Sequence, residues 1–215
     1  MNAVEKFRQL AAEPRFQGWP LVGVPVVFAG LPYFGAALKE RRETPNGVEE
    51  YFPLQRTFYW MVTFGITVDG LVPTLCQWKM GVNGPSWELP PGGVGKFEHE
   101  PTSEELMART QEIYLRETGF GGGEWAYLGY TLIETGKFRG PTPQSRGLKA
   151  HMSMATGLES VQAARAPLAN EIMETLLVPL GEFRRVLESG LFTEISAALC
   201  ARAALEKLGL LRWAE

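Results

Sequence analysis

Trp87-Glu88-Leu89-Pro90-Pro91-Gly92-Gly93-Val94, with the segment that runs on to Arg116-Glu117-Thr118-Gly119-Phe120, decides how this chain is read. Two prolines followed by two glycines interrupt regular structure and let a backbone approach a ligand closely. A helix then starts with a clear signal. Thr102 or Ser103 can cap it, and Glu104 and Glu105 fall in its positively polarised first turn. The pattern predicts a helix to about Thr118, stopped at Gly119 by a residue with positive φ, and a flexible link at Gly121 to Gly123. The unit is therefore loop, helix, loop.

Moving outward, Arg56 to Val68 (RTFYWMVTFGITV) is rich in strand formers and reads as a strand buried on both faces. Asp69-Gly70 makes a tight turn, and Leu71 to Met80 is expected to return as the second strand of a hairpin. Gly81 to Gly95, with its many glycines and prolines, reads as a loop. Upstream, Trp19 to Phe34 suggests extended segments, and Pro45-Asn46-Gly47 is a turn inside the charged stretch Glu40 to Glu50. The opening MNAVEKFRQLAAEPRF reads as a short helix ended before Pro14. Downstream come strands near Trp125 to Glu134 and Lys149 to Gly157, then a loop over Leu158 to Leu168. The segment Glu171 to Pro179 follows, and the tail has helices at Leu180 to Ser189 and about Thr193 to Leu208. Strands on both sides of a central helix, with helices at the end, give an α/β or α+β sandwich.

Composition narrows the function classes. The 215 residues are 45% hydrophobic and 21% charged, as in a globular chain, and carry a net charge of −3. That charge argues against nucleic-acid binding through a basic surface. Cys76 and Cys200 are too few for a disulfide framework, and no Cys/His spacing suggests zinc. The apolar stretch Trp19 to Phe34 holds three prolines and is too short to span a bilayer, and no signal core precedes it. A cytoplasmic protein with no membrane partner is expected.

The proline-glycine loop with its Arg-Glu-Thr-Gly-Phe ending resembles a Nudix box, the metal-binding loop–helix–loop of enzymes that hydrolyse nucleoside diphosphates linked to another moiety. Leu38 to Tyr51, Gln77-Trp78-Lys79 (where relatives have Gln-Tyr-Arg) and Asn170-Glu171-Ile172-Met173-Glu174 are similar to the ADP-ribose pyrophosphatase branch. The resemblance spans about Leu38 to Leu208. It implies a Nudix-like α/β/α sandwich with a mixed sheet over residues 38–215, preceded by an appendage over 1–37, in a homodimer joined through N-terminal strands. It implies a pyrophosphohydrolase acting on a small nucleoside diphosphate derivative such as ADP-ribose, with Mg2+ or Mn2+. Glu117 would hold metal with the Pro91 carbonyl, and Glu171 would assist as base or ligand. Lys79, Trp87, Gly92 and Gly93 would contact substrate.

The physical logic of such a box is that carboxylates three and four apart share a helix face and gather a hard cation against the charge of a diphosphate. This chain departs from it. Where the family reads Arg-Glu-Leu-x-Glu-Glu, Glu112-Ile113-Tyr114-Leu115-Arg116-Glu117 puts Ile113 and Arg116 at two metal positions and keeps Glu117. Glu105, Arg109, Glu112 and Arg116 form an alternating charge stripe, read as a surface ion-pair ladder, while Glu117 shares its stripe with Ile113, Thr110 and Leu106. Glu98, Glu100, Glu104 and Glu105 are candidates to replace the lost ligands. Each site residue also has a plainer reading: Glu117 as a solvated helix residue, Glu171 as a loop acid, Lys79 as a strand end, Trp87 as core, and His99 and His151 as surface or satisfied histidines. Three functions stay open: a pyrophosphohydrolase, a Nudix-fold protein that binds a nucleotide or protein partner without hydrolysis, and a hydrolase with migrated ligands.

Overall fold

The computed structural model describes residues 20–31, 35–79, 84–95, 97, 99–133, 138–141, 147–162, 173–190, 192 and 194–211. The helix expected before Pro14, and the candidate residues Glu98 and Glu171, lie outside the described residues.

Strands β1 (Val26–Leu31), β2 (Gly35–Thr44), β3 (Gly47–Tyr51), β4 (Leu54–Arg56) and β11 (Phe138–Arg139) make an outer sheet in the order β1-β2-β4-β11, with β3 paired to β2. The β2–β3 turn uses the Pro-Asn-Gly sequence as expected: Thr44 Oγ1 accepts from the Asn46 N–H at 3.1 Å and donates to the Gly47 carbonyl at 2.9 Å. Glu40, buried in β2, is held by Arg139 at 2.5 Å and by Arg42 at 3.0 Å.

The central sheet runs β10 (Glu124–Ile133), β12 (Leu148–Ser160), β5 (Tyr59–Thr67) and β8 (Pro91–Val94), with β9 (Phe120–Gly121) against β12. β5 and β12 are parallel, and β5 is covered on both faces. Alternation along β5 sorts its side chains. Val62, Phe64 and Ile66 pack against α3 (Ile195–Lys207) through Ala197, Cys200, Ala201 and Ala204. Tyr59 and Met61 turn the other way, toward Leu106 and Ile113 of α1 (Ser103–Thr118). Phe183 of α2 (Leu180–Glu188) closes the α3 side, edge-on to Phe64 at 5.1 Å. The result is a helix on each face of a mixed sheet.

A third sheet, β13 (Met173–Pro179), β6 (Leu71–Lys79) and β7 (Gly84–Glu88), leans against the central one. It corrects two expectations. The strands on either side of Asp69-Gly70 do not form a hairpin, because both edges of β5 are taken by β8 and β12, so β6 crosses into the neighbouring sheet. Gly81 to Gly95 is not all loop either: β7 pairs β6, and Pro91 to Val94 pair with Val62 to Tyr59. β12 also continues to Ser160, past the expected end at Gly157.

The ends of α1 follow the sequence signal. Thr102 caps it, with Glu105 completing a reciprocal capping box, and Gly119 ends it at φ 79°. What seats α1 is the absence of side chains beneath it. A Cβ on Gly65 would strike the Tyr114 hydroxyl and come within 2.7 Å of Leu158, and one on Gly92 would meet Ile113 Cγ2 at 2.5 Å. No helix among the described residues is long and apolar enough to cross a membrane. Cys200 is buried, its thiol 3.3 Å from the Ser153 carbonyl, and burial pushes its pKa up to about 12, which leaves it inert.

His151 is a titratable group inside the core. Its Nδ1 is 2.7 Å from the Tyr127 hydroxyl, Tyr59 and Tyr130 stack around it, and Nε2 is buried with no partner among the described residues. Burial lowers its pKa from 6.5 to about 4; the nearby Lys149 charge adds to the shift and Glu100 opposes it. The unfolded chain therefore binds a proton that the folded chain refuses between those values, so stability falls as pH drops from 6.5 toward 4, by at most about 3 kcal/mol. Urea unfolding of wild type and His151→Gln across that range is expected to show the flatter profile in the variant. Parallel profiles would remove His151 as a cause.

Candidate functional site

A cleft of about 470 Å³ opens where β6 of the third sheet faces β8 and the closing turn of α1. Period-two alternation turns Leu75, Gln77 and Lys79 of β6 into it. Pro91, Gly92 and Gly93 form its floor, and Arg116 and Glu117 come from α1, with Trp60 and Met173 at its sides. The structure thus brings together Lys79, Pro91, Gly92, Gly93 and Glu117. Glu171 lies outside the described residues, two positions before the first residue of β13.

Trp87 is not in the cleft. It sits opposite Cys76 on the other face of β7, donates its indole N–H to Thr74 Oγ1 at 2.9 Å and packs on Phe192 at 6.4 Å. The structure packs it against the core, apart from the other expected site residues. The residue beside it does face the cleft side. Glu88 pairs with Leu75, is 1% exposed, and lies 2.8 Å from Lys79 Nζ. Burial raises the Glu88 pKa and Lys79 pulls it back. Glu88 Oε2 meets no donor among the described residues, so Lys79 is its counter-ion. Lys79 is therefore both a wall of the cleft and a structural partner.

At the end of α1 the charge ladder read from the sequence is broken. Arg109 pairs with Glu112 at 2.9 Å, but Arg116 turns to Glu117 instead. Its Nε and Nη2 donate to Glu117 Oε1 at 3.0 and 2.9 Å, and the carboxylate is buried while the guanidinium is more than half exposed. Glu117 is not a solvated residue, nor does it present a bare carboxylate to the cleft. Arg116 is the site residue that sequence reasoning assigned to the surface. Helical spacing gave no signal for it, since neighbours on a helix point about 100° apart; its long side chain folds back onto Glu117 at the cleft.

Mg2+ takes near-ideal octahedral oxygen ligands, and Mn2+ suits carboxylate, carbonyl and water donors. Among the described residues no three of His, Cys, Asp and Glu gather, and the cleft offers one carboxylate, already matched by a guanidinium. The donor set among the described residues does not fit a divalent cation. Of the replacements considered from sequence, Glu100, Glu104 and Glu105 are elsewhere. Glu104 and Glu105 stand at the opening turn of α1, roughly 18 Å along the axis from Glu117. Glu105 caps the helix and contacts His99 at 3.2 Å; Glu100 accepts from Tyr59 at 3.0 Å and from Lys149 at 2.8 Å.

Helices on both faces of a mixed sheet, with a glycine floor under the end of α1, make the architecture Nudix-like. One solved structure that it resembles is a Nudix protein described as an ADP compounds hydrolase. The two align with a TM-score of 0.68 over 91% of this chain and 98% of that one, at 17% identity. No family model matches the chain, and no curated protein is significantly similar to it.

The Lys79–Glu88 pair yields a stability test. Lys79→Met leaves a buried carboxylate without its counter-ion and is expected to cost about 1–3 kcal/mol in urea unfolding. That is less than for a fully buried pair, because Lys79 is a third exposed. Adding Glu88→Gln should recover most of the loss. A double variant no more stable than Lys79→Met would show that the pair is not coupled.

Proposed function

We propose that this chain binds a nucleoside diphosphate derivative, such as ADP-ribose, in the cleft between β6, β8 and the end of α1, and that hydrolysis is impaired. The observation that carries the reading is the lining. Lys79, Gln77 and Arg116 supply donors beside the backbone of Gly92 and Gly93, and Glu117, the one carboxylate among the described lining residues, is paired with Arg116. Gly93 lets the Phe58 ring lie against the floor strand, and Trp60, its cross-strand partner, offers a flat ring to the cleft. The Nudix-like fold supports a nucleotide derivative over other anions, since the similar solved structure is described as a hydrolase of ADP compounds.

A second reading, a working pyrophosphohydrolase using Mg2+ or Mn2+, is favoured by one observation: Glu117 remains at the end of α1, beside Pro91 at the glycine floor. Thermal unfolding with ADP-ribose, followed by an assay for AMP release with magnesium or manganese, separates the two. At a concentration about a hundredfold above Kd, ADP-ribose should add roughly 2.7 kcal/mol to stability, with AMP release no faster than in Glu117→Gln. No stabilisation contradicts the binding reading. Turnover that disappears in Glu117→Gln establishes the hydrolase.

We also infer a homodimer through the outer sheet. Val26, Val27 and Phe28 of β1 are exposed, Phe28 at 67%, and Phe28 meets the half-exposed Phe52 edge-on at 5.5 Å. An exposed apolar strand of this kind calls for a partner surface. Light scattering is expected to give twice the chain mass for wild type and the monomer mass for Phe28→Asp. A wild-type monomer would remove the inference.

A further inference from the structure

We propose that Arg116 supplies in its own side chain the positive charge that a divalent cation brings to a Nudix box, so that the diphosphate is held here without metal. The inference rests on the nucleotide-binding reading above and adds how the charged centre of the ligand is recognised.

Arg116 stands at a junction. It lines the 470 Å³ cleft with Lys79 and Gln77, and also an adjoining cleft of about 430 Å³ with Arg109, Phe97 and Gly95. Gly93 is the other residue common to both. A ligand lying across that glycine would place its middle over Arg116 and its two ends against Trp60 on one side and Phe97 on the other. A diphosphate joining two ring-bearing groups has this form, with the negative charge at its centre and the flat apolar surfaces outside.

The charges around the junction agree. Arg116, Lys79 and Arg109 line the two clefts, and Glu117 is the single carboxylate among their described lining residues. A guanidinium carries five N–H donors in a fixed plane, a geometry that matches phosphate oxygens. Two of the five are spent on Glu117, which is buried and pins that plane in one orientation. Among the described residues the remaining donors stay available to a ligand. Glu117 thereby changes role, from a cation's ligand to the positioning residue of a guanidinium. A metal on Oε1 would have to displace Arg116, and at either oxygen the guanidinium 2.9 Å from Oε1 opposes the approach of a second positive charge.

Isothermal titration of the full-length protein with ADP-ribose and with inorganic pyrophosphate, each in excess EDTA and in excess magnesium, tests this. Both ligands should bind in EDTA at least as tightly as in magnesium. Arg116→Gln should weaken both by about tenfold or more, and Arg116→Lys, which keeps a positive charge beside the buried Glu117 and loses the fork, should fall between. Ile113→Glu with Arg116→Glu, which returns two carboxylates to the helix face, should make binding depend on magnesium. Binding that requires magnesium in the wild type, or that survives Arg116→Gln unchanged, overturns the inference while leaving the nucleotide reading in place. Pyrophosphate binding in EDTA with no gain for ADP-ribose supports the guanidinium site and removes the nucleotide reading. No binding of either ligand under any condition overturns both.

Discussion

The seating of α1 on two glycines is the constraint on which the site depends. Gly65 lets the Tyr114 ring and hydroxyl lie flush on β5, and Gly92 lets Ile113 rest on the floor strand. Tyr114 is fully buried, its hydroxyl has no partner among the described residues, and burial raises its pKa. Such an arrangement is retained because ring packing outweighs one unsatisfied hydroxyl. Because α1 cannot rise off the sheet, its last turn delivers Arg116 and Glu117 to one place, beside Pro91 and Gly93. Sequence sets the small residues, the small residues set the helix height, and the helix height sets the charge constellation.

The frame of that constellation is the proline-glycine strand, the capping box at Thr102 and Glu105, and the left-handed stop at Gly119. Its chemistry is set by Ile113, which packs on Gly92, and by Arg116, which clamps Glu117. An apolar side chain under the helix and a charge-assisted fork at its end are mutually compatible, and both oppose gathering carboxylates around a cation. Lys79 shows the same economy, since it neutralises the buried Glu88 and walls the cleft at once.

Much of this was legible in the sequence, for identifiable reasons. The ends of α1, the Pro-Asn-Gly turn and the buried β5 are local signals, set by capping, φ preference and side-chain type, and the structure follows them. What could not be read is set by partners distant along the chain. β5 and β6 look like a hairpin until β8 and β12 claim both edges of β5. Trp87 looks like a stacking residue until Thr74 and Phe192 place it on the far face. Arg116 fitted a surface ladder with Glu112 equally well by spacing, and only the burial of Glu117 decides which carboxylate it takes. Resemblance located Lys79 and Glu117, while alternation along β6 could have added Gln77.

The central claim is that a guanidinium, not a metal ion, sits on the Glu117 carboxylate. Crystals soaked in manganese chloride with ADP-ribose test it most directly, through an anomalous difference map around the glycine floor. The account predicts no manganese peak within coordination distance of Glu117, with Arg116 still on Oε1 and a phosphate group against its remaining N–H donors. A manganese ion bridging Glu117 and the Pro91 carbonyl, with Arg116 swung away, would contradict it.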